Sequence, residues 1–206
     1  MDARQQKTLA RLSAAVLDLA TSGPVTEVTV SALAAAAGVH RSTVYEYAPS
    51  PSALLERVLR AELDELRAEY LVGVEPSDAA GAVVGVTRAV LKHVDDHDAV
   101  YRRGLGADSG AASLHAMLSE HFQGSVELLL EQHSLFVPAA DDTERAAIAR
   151  WLADGTIGAI DVWLTRPHPR DVEAFLALVG RLTPAWWPGS GDPQPRRGSA
   201  RSTAAR

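Results

Sequence analysis

Apolar residues recur every three or four positions along most of the chain, and alternating β-branched runs are missing, so almost everything reads as helix. A first helix is predicted over 2–21, where Leu9, Leu12, Val16 and Leu19 share one stripe and Ser22-Gly23-Pro24 stops it. The single Val/Thr-rich stretch, Val25 to Val30, is short. Thr29 suits the N-cap of a second helix over 30–37, and Gly38 suits the left-handed position that closes it. A third helix spans 40–47. Pro49 and Pro51 forbid its continuation, and Ser50-Pro51 reads as N-cap and first position of a long fourth helix to residue 72.

Five more helices are predicted over 77–97, 99–106, 111–134, 141–166 and 169–187, with breaks such as Val137-Pro138 and Pro167-His168-Pro169. From Gly189 onward Gly, Ser, Pro and Arg replace the periodicity, so 189–206 reads as a disordered tail. The expected fold class is all-α: a three-helix unit over 1–50 and a larger helical body over 51–188.

A chain of 206 residues with 47% hydrophobic and 22% charged residues can bury a real core. The absence of cysteine removes disulfide frameworks, cysteine-rich zinc sites and thiolate nucleophiles. No apolar run approaches the roughly 20 residues that span a bilayer, and MDARQQK lacks an apolar secretory core, so no membrane is expected and the expected address is cytoplasmic. The net charge of −6 conceals a split along the chain. Residues 1–60 carry six basic and five acidic groups, residues 61–188 carry ten and twenty, and residues 189–206 carry four arginines and Asp192. Phosphate neutralisation is the sequence-independent part of DNA affinity, so the N-terminal segment is where a duplex meets least repulsion.

Residues 29–47, TVSALAAAAGVHRSTVYEY, place two short helices around a tight glycine turn, and the first is almost all alanine. Leu33, Ala34, Ala37, Val39 and Val44 are expected to pack inward, leaving the next helix to project His40, Arg41, Ser42, Thr43, Tyr45, Glu46 and Tyr47. A rigid, narrow element with polar tips is what a major groove about 12 Å wide admits. Arg41 has the reach for guanine O6 and N7, Glu46 for a cytosine amine, and Thr29, Thr43, Tyr45 and Tyr47 carry hydroxyls suited to phosphate oxygens. Helix-turn-helix pairs also occur in proteins that never meet DNA, and a tyrosine-rich short helix can simply fill a core.

The stretch from Thr29 through Leu55, ending GVHRSTVYEYAPSPSALL, resembles the N-terminal DNA-binding domain of the TetR family of repressors. Gly38, Val39, Arg41, Thr43, Tyr45, Pro49, Ser50, Ala53, Leu54 and Leu55 fall in register with that family's glycine-valine turn, Arg-x-Thr-x-Tyr helix and Pro-Ser-x-x-Ala-Leu-Leu start of the fourth helix. The resemblance covers about the first 60 residues. It implies an all-helical homodimer, a groove-reading third helix, and a C-terminal regulatory and dimerisation domain that binds a small-molecule effector and releases an operator. It also implies phosphate contacts from Thr29, Thr43, Tyr45 and Tyr47 and base contacts from Arg41 and Ser42. The chain departs from the pattern at Pro51, where a phosphate-clamping lysine is usual, at Ala48, where an aromatic is usual, and at Tyr47, which replaces a common histidine. Together with the negative charge of Glu46 these changes predict weaker, less salt-dependent DNA binding than a typical member. Arg4, Lys7 and Arg11 are positioned to compensate.

In the eighth predicted helix Leu152, Gly155, Ala159 and Val162 recur at helical spacing, as do Phe175, Leu176, Val179 and Leu182 in the ninth. These stripes serve either an intramolecular core or a dimer bundle of two such pairs, with Gly155 and Gly158 allowing close approach. The resemblance favours the dimer. Tyr101, Met117, His121, Phe122, Trp151 and Asp154 are candidate cavity residues for an apolar ligand. His93 and His97, at i and i+4 beside Asp95, Asp96 and Asp98, read as a solvated helix end, so no metal and no cofactor are expected. No phosphate-cradling glycine loop, nucleophile elbow or His-Glu-x-x-His helix is present, and no enzyme is expected. The sequence therefore reads as a ligand-responsive, dimeric DNA-binding regulator that represses from a palindromic operator; the alternative is a helical small-molecule or protein-binding adaptor with a weakened DNA module.

Overall fold

Start and stop signals in the sequence become helix ends in the computed structural model, which describes residues 3–105, 112–132, 137–139 and 141–188, the side chains of 112 and 113 excepted. The expected tail over 189–206 lies outside the described residues, as do the predicted limits at Gly106, Ala111 and Ser134. The helices are α1 (Ala3–Ser22), α2 (Val30–Ala37), α3 (Arg41–Tyr47), α4 (Pro51–Leu71), α5 (Ala79–Asp96), α6 (Asp98–Leu105), α7 (Ala112–Glu131), α8 (Asp142–Leu164) and α9 (Val172–Leu182), with a 3-10 turn at Val25–Glu27. No strand occurs among the described residues, and none of their helices is long and apolar enough to cross a membrane.

Each of the clearest boundaries has a chemical cause. The side-chain oxygens of Thr29, Ser50, Asp141 and Asp171 accept from the backbone N–H three residues on, satisfying a donor that the first helical turn leaves orphaned. Pro51 stands at the first position of α4, where its missing N–H costs nothing. The ninth helix begins later than predicted because Asp171 is its cap and Arg170 is turned inward as a buried anchor.

Leu12 and Val16 of α1, Leu33 of α2, Val44 of α3 and Leu54 and Leu59 of α4 are fully buried and form one cluster with Leu91, Tyr101, Leu118 and Ile157 farther along the chain. Burial of each large aliphatic contributes about 1.5–3 kcal/mol. A second cluster gathers Leu71, Val83, Val126, Leu129, Ala149 and Leu152. The helix α4, about 30 Å long at 1.5 Å per residue, thus has its N-terminal half beneath the helix-turn-helix and its last residue, Leu71, in the second cluster. Residue 50, the expected division between the two units, is the N-cap of this shared helix.

Candidate nucleic-acid interface and ligand cavity

The turn between α2 and α3 rests on Gly38, whose φ of 61° and ψ of 43° lie in the left-handed region that a side chain disfavours. Its N–H closes α2 onto Ala34 and Ala35, and its carbonyl accepts from Arg11 Nη2 at 2.7 Å, tying the turn to α1. Val44 is wholly buried and orients α3. The opposite face then presents Arg41, Ser42, Tyr45 and Glu46 to solvent, with His40 exposed just before it and Thr43 half-buried. Tyr45 is 55% exposed and is the large aromatic on this outward face.

Thr29 is exposed at the start of α2. Its oxygen is occupied by Ala32 N–H, which leaves the hydroxyl proton to donate outward. Tyr47 is placed differently from the other candidates. Its hydroxyl donates to the Gln5 carbonyl at 3.2 Å and its own carbonyl accepts from Arg57 Nη1 at 2.8 Å, so it braces α1 and α4 against α3. Arg11, expected as a compensating cation, is likewise engaged with the turn. The sequence could not show either bond because the partners lie 42 and 27 residues away.

In the larger body a cavity of ≈ 130 Å³ opens between α5, α7, α8 and α9. Its walls are mostly aliphatic, with Val83, Val86 and Val90 of α5, Leu129 of α7, Ile160 of α8 and Leu176 of α9 among them, while Leu71 and Trp187 also line it. The polar wall groups are few. Thr87, Ser125, Thr156 and Thr183 each donate to the carbonyl of the residue four positions back, leaving only oxygen lone pairs. His121 has a side chain 2% exposed; its Nδ1 lies 2.7 Å from Arg67 Nη2 and 3.1 Å from Asp64 Oδ1. Burial, reinforced by the Arg67 guanidinium, pushes this imidazole down to about 4, so it is neutral near pH 7.

Of the six predicted cavity residues, His121 and Phe122 line this space. The other four stand elsewhere. Tyr101 and Met117 are fully buried in the first cluster. Asp154 ties α7 to α8: burial works against its charge, but hydrogen bonds from Ser119 Oγ at 2.6 Å and Arg150 Nε at 2.7 Å hold its carboxyl below the ordinary range. Trp151 is 60% exposed and faces away from the core. A stripe of apolar residues at helical spacing does not say which of several cavities or surfaces it meets, and the valines of α5 that form one wall carried no signal of their own.

The predicted dimer residues also divide. Leu152 and Phe175 are buried within the protomer, while Leu176 and Val179 line the cavity. Val162 and Leu182 are 63% and 61% exposed, Gly155 is exposed and Ala159 is half-buried. Trp151, Gly155, Gly158 and Val162 make one exposed stripe on α8, and Leu178 and Leu182 are exposed on α9. A Cβ built at Gly155 or Gly158 meets nothing within 4 Å, so those glycines leave α8 bare rather than fitting a neighbour in the same chain.

The acidic end of α5 is not the solvated surface that its composition suggested. Asp95 and Asp98 pair with Arg170, whose side chain is fully buried and lies 5.3 Å over the Trp163 ring, and Asp96 pairs with Lys92. His93 and His97 turn instead toward α4, where Glu62 Oε2 lies 3.4 Å from His93 Nδ1 and 3.0 Å from His97 Nε2. His93 Nε2 lies 2.8 Å from the Tyr101 hydroxyl. Burial, then the neighbouring His97, pushes His93 down to about 4, and the hydrogen bond from His97 lowers Glu62. Glu62 is 31 positions from His93, beyond any local motif.

The exposed arginine- and tyrosine-bearing helix, set by a glycine turn on an alanine helix and joined by one long helix to a body with a cavity, defines a protein of helix-turn-helix architecture. No protein-family profile matches the chain. Over 186 residues it is 28% identical to the HTH-type transcriptional repressor KstR of Rhodococcus jostii (strain RHA1), covering 86% of this chain and 83% of that protein. Its fold matches a TetR-family transcriptional regulator from Streptomyces coelicolor with a TM-score of 0.55 and 23% identity, covering 89% of this chain and 85% of that one. It also matches the Thermus thermophilus TetR-family repressor FadR in complex with lauroyl-CoA, with a TM-score of 0.54 and 22% identity over 84% and 92% of the two chains. With the in-register motif from Thr29 to Leu55, the chain resembles the TetR family of transcriptional regulators in sequence and shares their fold.

Proposed function

We propose that this protein is a dimeric, ligand-responsive repressor that binds a palindromic operator through paired α3 helices and leaves it when an apolar effector fills the cavity. The observation that carries this reading is the outward face of α3, where Arg41, Ser42, Tyr45 and Glu46 stand exposed on a helix held rigidly from behind by Val44. Arg41 and Ser42 read base edges, while Thr29, Thr43 and Tyr45 hold phosphates; His40 and Glu46 border them. Tyr47 braces the unit through its bond to Gln5. No catalytic step is assigned to any residue.

The aliphatic walls favour a ligand with a hydrocarbon body, and His121, neutral and part of the cavity lining, favours one polar group on it. The lauroyl-CoA bound by the T. thermophilus relative supports that class of ligand. Two structural ties would carry the response. One is α4, with an end in each core cluster; the other is α6, whose Arg103 Nη1 donates to the Ala20 and Thr21 carbonyls at the end of α1 at 2.8 and 2.7 Å. By linkage, operator and effector weaken each other's binding by the same factor, typically about 5- to 150-fold.

Selection of duplexes from a random pool, at low and moderate salt, tests the reading. The expected result is an enriched palindrome whose affinity falls about 10- to 100-fold in Arg41→Ala, the value of one bidentate base contact. A folded dimer that enriches no sequence would overturn repression and leave the adaptor reading.

A further inference from the structure

We propose that Glu62, His93 and His97 form a binding site for a divalent transition-metal ion of the zinc type, joining α4 to α5. Each residue supplies one donor atom, and the three atoms lie within 4.8 Å of one another. Zinc bonds of about 2.0–2.1 Å in tetrahedral geometry separate neighbouring ligand atoms by about 3.3 Å. Glu62 Oε2 already stands 3.4 Å from His93 Nδ1 and 3.0 Å from His97 Nε2. The histidine rings have centroids 4.8 Å apart and are inclined by 67°, so they do not stack on each other. Closing a donor pair as far apart as 4.8 Å onto an ion takes about 1.5 Å of side-chain movement, judged against the same tetrahedral separation.

The surroundings supply what a ligand set needs. With its proton on Nε2, His93 donates to the Tyr101 hydroxyl oxygen, 2.8 Å away, which fixes the ring and leaves the Nδ1 lone pair facing Glu62. Tyr101 is fully buried and therefore a fixed post. Two imidazoles and one carboxylate suit zinc, cobalt or nickel and do not suit magnesium or calcium, which demand more oxygen donors. The Glu62 side chain is 38% exposed and that of His97 23%, so the fourth position opens to water. Arg60, Arg67 and Lys92 have carboxylate partners of their own at Glu120, Asp64 and Asp96, which leaves Glu62 to the histidines.

Titration of tag-free, chelator-treated full-length protein with Zn²⁺ tests the site, with Co²⁺ as the spectroscopic probe. The expected result is one ion per protomer, bound at least about 10-fold more weakly by Glu62→Gln and by His97→Gln and unchanged in His168→Gln, since loss of one ligand costs at least what loss of its outer support does. Absence of saturable binding overturns the proposal, as does equal binding by Glu62→Gln and the unaltered chain. Should neither variant fold, the Co²⁺ spectrum of the unaltered chain decides: intense tetrahedral bands support the site, and the weak spectrum of the hydrated ion overturns it. None of these readouts requires DNA, so the site stands or falls apart from the operator reading.

Discussion

His121 shows how a single residue's surroundings decide its chemistry. It faces Asp64, Arg67 and Arg60 of α4, and its ring is buried at the cavity wall. Its pKa falls from 6.5 when unfolded to about 4 when folded, so below pH 6.5 the unfolded chain binds the extra proton and folding stability falls as pH falls toward 4. The contribution lost is on the order of 1–3 kcal/mol. Urea unfolding at pH 7 and pH 5 is expected to show a smaller loss in His121→Gln than in the unaltered chain; equal losses would remove His121 as a source. Arg170 makes the opposite case, a permanent cation retained inside because Asp95, Asp98 and the Leu164 and Arg166 carbonyls surround it. Leaving the two carboxylates without it is expected to cost about 3–5 kcal/mol in Arg170→Met, measured by the same unfolding.

At the scale of elements, the turn between α2 and α3 carries the most information per residue. Gly38 holds a positive φ and lies against Arg11, so Gly38→Ala meets both backbone strain and a collision with the guanidinium. The expected cost is at least about 1 kcal/mol, seen as a lower thermal midpoint, with a matching loss of operator affinity. A substitution without effect on either would mean that the turn does not position α3. The helix limits around this turn were legible because caps and breakers act locally: Thr29, Gly38, Ser50 and Pro51 each govern a hydrogen bond within four residues. The roles of Tyr47 and Arg11 were not legible, since their partners on α1 and at Gly38 become neighbours only after the helices pack.

For the whole molecule, the bare stripe of Trp151, Gly155, Gly158 and Val162 with Leu178 and Leu182 on α9 is the surface expected to join two copies. Glycines here let helices approach, and large exposed apolar side chains otherwise invite aggregation. Val162→Glu is expected to convert the dimer to a folded monomer in sedimentation velocity and to abolish palindrome binding, because two half-sites need two α3 helices. A variant that remains dimeric would place the interface elsewhere.

Periodicity, caps and the Thr29–Leu55 motif determined from the sequence alone that the described elements are helices, where most of them begin and end, and that Arg41, Ser42, Tyr45 and Glu46 of α3 turn outward, though not that Thr43 is half-buried and Tyr47 a brace. The features so determined depend on interactions within a few residues, or on one short unit whose packing is nearly self-contained. Only the tertiary structure decided that Leu176 and Val179 face a cavity while Val162 and Leu182 face solvent, and that Glu62 meets His93 and His97. An apolar stripe records that a helix face must be covered, whereas what covers it depends on rotations and crossings among helices distant in the chain.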